Sequence, residues 1–271
     1  MNVLHNDLFD SEGRLLLPKN TRLTPHISKL LRKRGISLDN GKEKSESENE
    51  ENEAQMKLTL QHFEKQVSQQ STDVFIQATE ILQHIFSESK QQPWGLYCLL
   101  LNSYDDLLYS HSINVSLLSL MIAAKIHKSR SMLWKIGLGA LLHDIGKLFI
   151  PISIVAKQGP LNPYETQVMK QHCELGEHVL TGRGLDTVCL KIVRQHHERL
   201  DGSGYPDGLR GSEIADEAKI VMIADSIDAI TSYRPYKKAH SIAEAMKRLE
   251  KDSGQYDVKL FPVVKALFFN Q

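Results

Sequence analysis

The chain has 271 residues with 33 basic and 33 acidic side chains, a formal net charge of zero, so no global field marks it as a binder of polymeric nucleic acid or of a membrane surface. Hydrophobic residues make up 41%, enough to bury a sizeable core in one full domain plus a smaller one. Cys98, Cys173 and Cys189 are odd in number and form no CxxC pair, which favours a reducing cytosol and thiols rather than disulfides.

Met1 to Asn6 has no basic start and no long apolar run, so it does not read as a signal peptide. Residues 1–39 read as a small α+β module. A hairpin turns at Asp10-Ser11-Glu12-Gly13, and a helix starts at Thr24-Pro25, carries Ile27, Leu30 and Leu31 on one face, and stops at Gly35. Residues 40–53 are rich in Glu, Ser and Asn and read as a solvated acidic linker. Residues 54–94 read as connecting helices, with Phe75, Ala78, Leu82 and Ile85 at a period near 3.6. Leu107 to Ile126 is apolar nearly all round and reads as a buried central helix. The longest apolar stretches, such as Leu117 to Ala124, read as too short to cross a bilayer. Breaks are expected at Gly159-Pro160, Gly182–Gly184, Gly202–Gly211 and Tyr233-Arg234-Pro235. Alternating patterns are scarce after residue 40, so the fold class is all-α: a helical bundle with a small appended module.

Imidazoles and carboxylates gather on these apolar elements, where they are costly to bury unless paired or bound to a metal. His111 lies on the central helix. His143 and Asp144 are adjacent, and on a continuous helix would diverge by about 100°. His172 and Gly176 share a face, the glycine leaving room beside the ring. His196 and His197 can both ligate only where a helix ends against a loop. Asp225 and Asp228 share a face in Ala224-Asp225-Ser226-Ile227-Asp228. A lone core histidine is usually a hydrogen-bonded structural residue, but five would each need a separate buried partner. Nitrogen and oxygen donors without cysteine suit iron, manganese or zinc in a catalytic role. The Cys173 thiol is read as pointing to another face than His172, as a packing residue. Glu198 and Asp228 are read as carboxylates that orient ligands or cap helices.

The ordered series resembles the HD-GYP family of HD-domain phosphohydrolases. It comprises His111-Ser112-Ile113-Asn114, then Leu142-His143-Asp144-Ile145-Gly146-Lys147 and His172 with Gly176. After these come His196-His197-Glu198 running to Gly204-Tyr205-Pro206, Asp225 to Asp228, and Tyr233-Arg234-Pro235-Tyr236-Lys237. The resemblance spans residues 95–271, which makes that stretch the catalytic domain. It implies hydrolysis of cyclic di-GMP to linear pGpG, and on to GMP, with two divalent ions, iron or manganese. One ion would be held by His111, His143, Asp144 and Asp225. Asp144 would bridge to the second, held also by His172, His196 and His197. Asp144 and Lys147 would be catalytic; Lys147, Tyr205, Arg234 and Lys237 would bind substrate. Spacing alone leaves Arg234 and Lys237 as readily surface charges, and Tyr205 as readily a packing residue. Some members of the family hold a third metal through a glutamate four residues before the first histidine, where this chain has Leu107. Two further readings stand beside this one. The first is an HD phosphohydrolase acting on another nucleotide; the second is a signalling scaffold that binds a diguanylate cyclase or another signalling protein. A homodimer is compatible with each.

Overall fold

The computed structural model describes residues 4, 6–9, 15–17, 19, 31, 60, 61, 63–65, 67–89, 91–104, 106–232 and 240–269, without the side chains of 99, 102–104 and 106. Two short strands, β1 (Leu8–Phe9) and β2 (Leu15–Leu17), pair antiparallel with Leu8 opposite Leu17. They form the expected hairpin. The acidic linker and all of the first expected helix except Leu31 lie outside the described residues. Leu4, Leu16, Leu17 and Leu31 are buried in the same apolar cluster as the helices that follow.

Numbered over the described residues, the helices are α1 (Thr72–Ser89), α2 (Gly95–Tyr104), α3 (Asp106–Lys125), α4 (Arg130–Leu142), α5 (Ile152–Val155), α6 (Pro163–Lys170), α7 (His172–Leu180), α8 (Thr187–Gln195), α9 (Asp216–Thr231), α10 (Ile242–Lys251) and α11 (Phe261–Phe268). The fold is the expected all-helical bundle. Starts follow local chemistry: the Ser129 hydroxyl accepts from the Met132 N–H at α4, and reciprocal capping boxes join Asn162 to Glu165 and Ser241 to Glu244.

Helix α3 is the axis, packed by α1, α4 and α9, and α8 closes the other side against α4 and α7. Ile113, Val115, Leu117, Leu118, Leu120, Met121, Ile122 and Ala123 on α3 are all fully buried. Its polar Ser116 is accommodated by donating to the Gly137 carbonyl at 2.8 Å. The reading of the apolar stretches as too short needs correction. Leu107–Lys125, with a mean hydropathy of 1.5, is long and apolar enough to cross a membrane, although 83% of that window is buried inside the bundle. The span that meets the length is the whole central helix, of which Leu117 to Ala124 is only the C-terminal part.

Between α4 and α5 the chain tightens into a 3-10 segment, Ile145–Phe149, packed against α7. Gly146 makes that approach close: a Cβ there would stand 1.8 Å from the His172 carbonyl oxygen and 2.7 Å from the Gly176 nitrogen. Gly176 therefore clears space for the 3-10 backbone and for Val193, rather than for the His172 ring as expected, since a Cβ on it would meet Val193 Cγ1 at 2.8 Å.

Candidate metal centre

Three helix ends converge on one buried point. The α4 helix stops with His143 as its C-cap, α8 stops with His196 as its C-cap, and His172 opens α7 directly after Gln171, the C-cap of α6. The last carbonyls of a helix lack intrahelical partners. Here each is met by an imidazole: Nδ1 of His143 donates to Ala140 O at 2.7 Å, His172 to Met169 O at 2.7 Å, and His196 to Val193 O at 2.8 Å. Each bond fixes the tautomer and turns a bare Nε2 lone pair inward. On α3, His111 Nδ1 donates to Asp228 Oδ2 at 2.6 Å, and Asn114 and Ser232 donate to the other Asp228 oxygen at 2.8 and 2.7 Å. The expected orienting role for Asp228 matches this geometry.

The inward-facing atoms form two groups, Asp144 with His172, His196 and His197, and His111 with His143 and Asp225. All seven expected metal ligands are among them. Asp144 faces both groups. Its Oδ1 lies 3.3 Å from His172 Nε2 and 3.8 Å from His196 Nε2, while Oδ2 lies 3.4 Å from His143 Nε2 and 3.5 Å from His111 Nε2. The turn at Asp144 (φ −96°, ψ 8°) breaks the helix between the two residues, so the 100° divergence of a continuous helix does not apply. Lys147 Nζ reaches Asp144 Oδ2 at 2.5 Å.

These donors fit a cation. His143 Nε2 and Asp144 Oδ1 are buried with no hydrogen-bond partner. His172 Nε2 and His196 Nε2 stand 3.2 Å apart although both Nδ1 atoms already carry the protons. Two lone pairs at that distance repel unless a positive charge lies between them. Buried polar atoms left unmatched are costly, and a shared cation removes the cost.

Protonation separates the two groups. Burial opposes charge on His111, but its hydrogen bonds to Asp225 and Asp228 outweigh this and push its pKa up to about 10. Burial lowers His172 to about 3 and depresses His196 and His197. Burial also opposes ionisation of Asp144 and Asp225, yet Lys147 and His143 hold Asp144, and His111 holds Asp225, well below the usual carboxylate range. At neutral pH without a cation, His111 is therefore protonated, His172, His196 and His197 are neutral, and Asp144 and Asp225 are ionised. Cation uptake at pH 7 is expected to release about one proton per chain, from His111. Calorimetry in buffers of differing ionisation enthalpy measures this; zero release, or release undiminished in His111→Gln, contradicts it.

Other expected residues fall as follows. Tyr205 lies over the His197 ring, centroids 4.7 Å apart and planes 32° from parallel, with Lys170 Nζ 5.0 Å from the Tyr205 centroid. Arg234 and Lys237 lie outside the described residues. Leu107, one turn before His111, is half-exposed. Two expectations are corrected. The Cys173 sulfur is 3.5 Å from His172 Nε2 rather than on another face, although burial raises its thiol pKa and keeps it protonated and poorly ligating. Glu198 makes no direct hydrogen bond to a histidine and caps none of the described helices; it accepts from the backbone N–H groups of Asp207 and Leu209 at 2.7 and 3.0 Å. Sequence spacing carried no signal for this, because the partners belong to an irregular loop. A separate groove of about 530 Å³, lined by Ile81, His84, Trp94, Arg130 and Trp134, contains none of these residues. The chemistry belongs to the histidine cluster, where the unmatched donors are.

A family model described as the HD domain matches residues 96–260. A cyclic di-GMP phosphodiesterase of Pseudomonas aeruginosa is 34% identical over 193 residues, 70% of this chain and 47% of that protein. A 3'3'-cGAMP-specific phosphodiesterase of Vibrio cholerae is 36% identical over 158 residues, 58% of this chain and 37% of that protein. The chain thus spans less than half the length of these curated relatives. Among solved structures, an HDG"Y"P protein of Bdellovibrio bacteriovorus superposes with a TM-score of 0.51 at 21% identity, covering 72% of this chain and 68% of that one, a likeness of fold. With the model match covering more than half its length and the motif histidines meeting in one cluster, the chain belongs to the HD-domain family, in its HD-GYP branch.

Proposed function

We propose that this chain hydrolyses a phosphodiester bond of a cyclic dinucleotide, cyclic di-GMP first, using two divalent ions of iron or manganese. The observation that carries the reading is Asp144, one carboxylate with an oxygen turned to each group of histidines. Its four histidine neighbours and His197 and Asp225 would hold the ions. Bound there, the pair would supply Lewis acidity, neutralising phosphate oxygens and lowering the pKa of a shared water. The protein's own part is orientation. Backbone carbonyls take the Nδ1 protons of His143, His172 and His196 and aim their Nε2 atoms inward, and Asp228 fixes the orientation of the His111 ring. Lys147, paired with Asp144 and partly exposed, offers an ammonium to a substrate phosphate. Arg234, by its planar fork, and Lys237 are proposed to grip the same anion, and Tyr205 to wall the site. Residues 95–271 are proposed as the catalytic domain and 1–53 as a regulatory appendage. The three buried free cysteines support a cytoplasmic setting.

The test is a panel of cyclic di-GMP, 3'3'-cGAMP and cyclic di-AMP given to protein reconstituted with ferrous iron or manganese without oxygen, with products separated by chromatography. Linear pGpG as the fastest product is expected. A second reading, preference for 3'3'-cGAMP, is favoured by the Vibrio cholerae relative and would appear as the reverse ranking. No hydrolysis of any cyclic dinucleotide by protein carrying two ions would exclude both.

A further inference from the structure

Four of the five clustered imidazoles have a visible brace: His143, His172 and His196 through helix-end carbonyls, and His111 through Asp228. His197 has none among the described residues, its Nδ1 coming no closer than 3.9 Å to Asp225 Oδ2. Its ring lies between the His196 ring, centroids 4.2 Å apart, and Tyr205 at 4.7 Å, and the Tyr205 N–H also donates to the His197 carbonyl at 3.1 Å. The loop that carries Tyr205 is held from beneath by Glu198. This carboxylate is fully buried, and its two oxygens receive the N–H groups of Asp207 and Leu209, on the far side of Tyr205. Gly204 lies directly on the same residue: a Cβ there would stand 2.4 Å from Glu198 Cα and 2.4 Å from the Arg199 nitrogen. On the outside, Arg194 clamps Asp207 through two hydrogen bonds of 2.7 Å and Glu177 through one of 2.7 Å.

We propose that Glu198 is a positioning residue for His197: by seating the 201–210 loop it presses Tyr205 against the His197 ring and fixes the angle at which that ring faces the His172 group. The inference rests on the metal-centre reading. It assigns the Gly-Tyr-Pro loop a part inside the site, separate from docking a protein partner. The glycine allows contact with the Glu198 backbone, and the tyrosine transmits that contact to the ring. Glutamine in place of Glu198 keeps the shape but turns an NH2 donor toward one of the two backbone donors, so one anchor is lost.

The experiment is titration of the metal-free full chain with Mn²⁺, read by calorimetry. The wild type is expected to show two classes of site. Glu198→Gln and, independently, Gly204→Ala should weaken one class by about 10–100-fold and leave the other within about twofold. His197→Ala should weaken that same class, and adding Glu198→Gln to His197→Ala should change nothing further, because the two act through one ring. If Glu198→Gln does not fold, Gly204→Ala, which keeps the carboxylate, carries the comparison. Unchanged affinities in a folded variant, equal weakening of both classes, or a full additional loss on top of His197→Ala would each overturn the assignment. A single class of site in the wild type would overturn the binuclear reading itself.

Discussion

Asp144→Asn is expected to cut kcat/KM for cyclic di-GMP by about 1,000-fold or more. Loss of a partner that only orients a metal ligand typically costs 10–100-fold in affinity or activity, and Asp144 stands one step closer to the chemistry. The asparagine keeps the volume of the side chain. It cannot, however, offer an acceptor to both groups: whichever way the amide turns, an NH2 faces either His172 and His196 or His111 and His143. Lys147 loses its carboxylate partner as well. Steady-state kinetics with elemental analysis of the same preparation decide the matter. A folded Asp144→Asn protein with near-wild-type rate and a full metal complement would remove Asp144 from the centre of the mechanism.

Gly146→Ala is expected to be the most damaging single-methyl change. The new Cβ would lie within 2.7 Å of His172 and Gly176 backbone atoms, which have no rotamer to escape into. The 3-10 segment and α7 must separate, at a cost of about 3 kcal/mol. For a chain of this size that corresponds to a fall of roughly 6–12 °C in Tm. Because Asp144 is the N-cap of the 3-10 segment and His172 begins α7, the same shift pulls the two metal-facing residues apart. Metal uptake should weaken together with stability. Gly254→Ala, where a Cβ meets nothing within 4 Å, is the matched control. A Gly146→Ala protein that melts within about 2 °C of that control and binds metal normally would mean the backbones do not approach so closely.

The ligand set was legible because its residues break a local rule: histidines and aspartates on otherwise apolar helical segments demand an explanation that leucine would not. The helices themselves followed from periodicity, and α1 lies where the 3.6 pattern placed it. What escaped were relations that cross between elements or depend on reach. The 100° rule gives the direction of Cα–Cβ, not the position of an imidazole nitrogen several bonds further out, so Cys173 was placed away from a ring it approaches. Glu198 stood next to two histidines and was grouped with them, although its oxygens point to the loop. Gly176 was paired with His172 four residues earlier; its tightest neighbours, Val193 and Gly146, come from distant stretches of chain. A linear sequence does not display such pairings.

The three imidazoles seated on helix-end carbonyls bear on how this centre can be transplanted or lost. Their aim is written into main chain that every amino acid shares, so drift among the surrounding side chains leaves it undisturbed. A designer who copied only the histidines onto another scaffold would obtain rings free to spin. The portable unit is a helix terminus with its histidine attached, and three such termini must be brought nose to nose. By the same token, lengthening any of these helices by one residue would consume the carbonyl and release the ring. Insertions and deletions at the helix ends, more than substitutions, are the genetic changes that this architecture cannot tolerate.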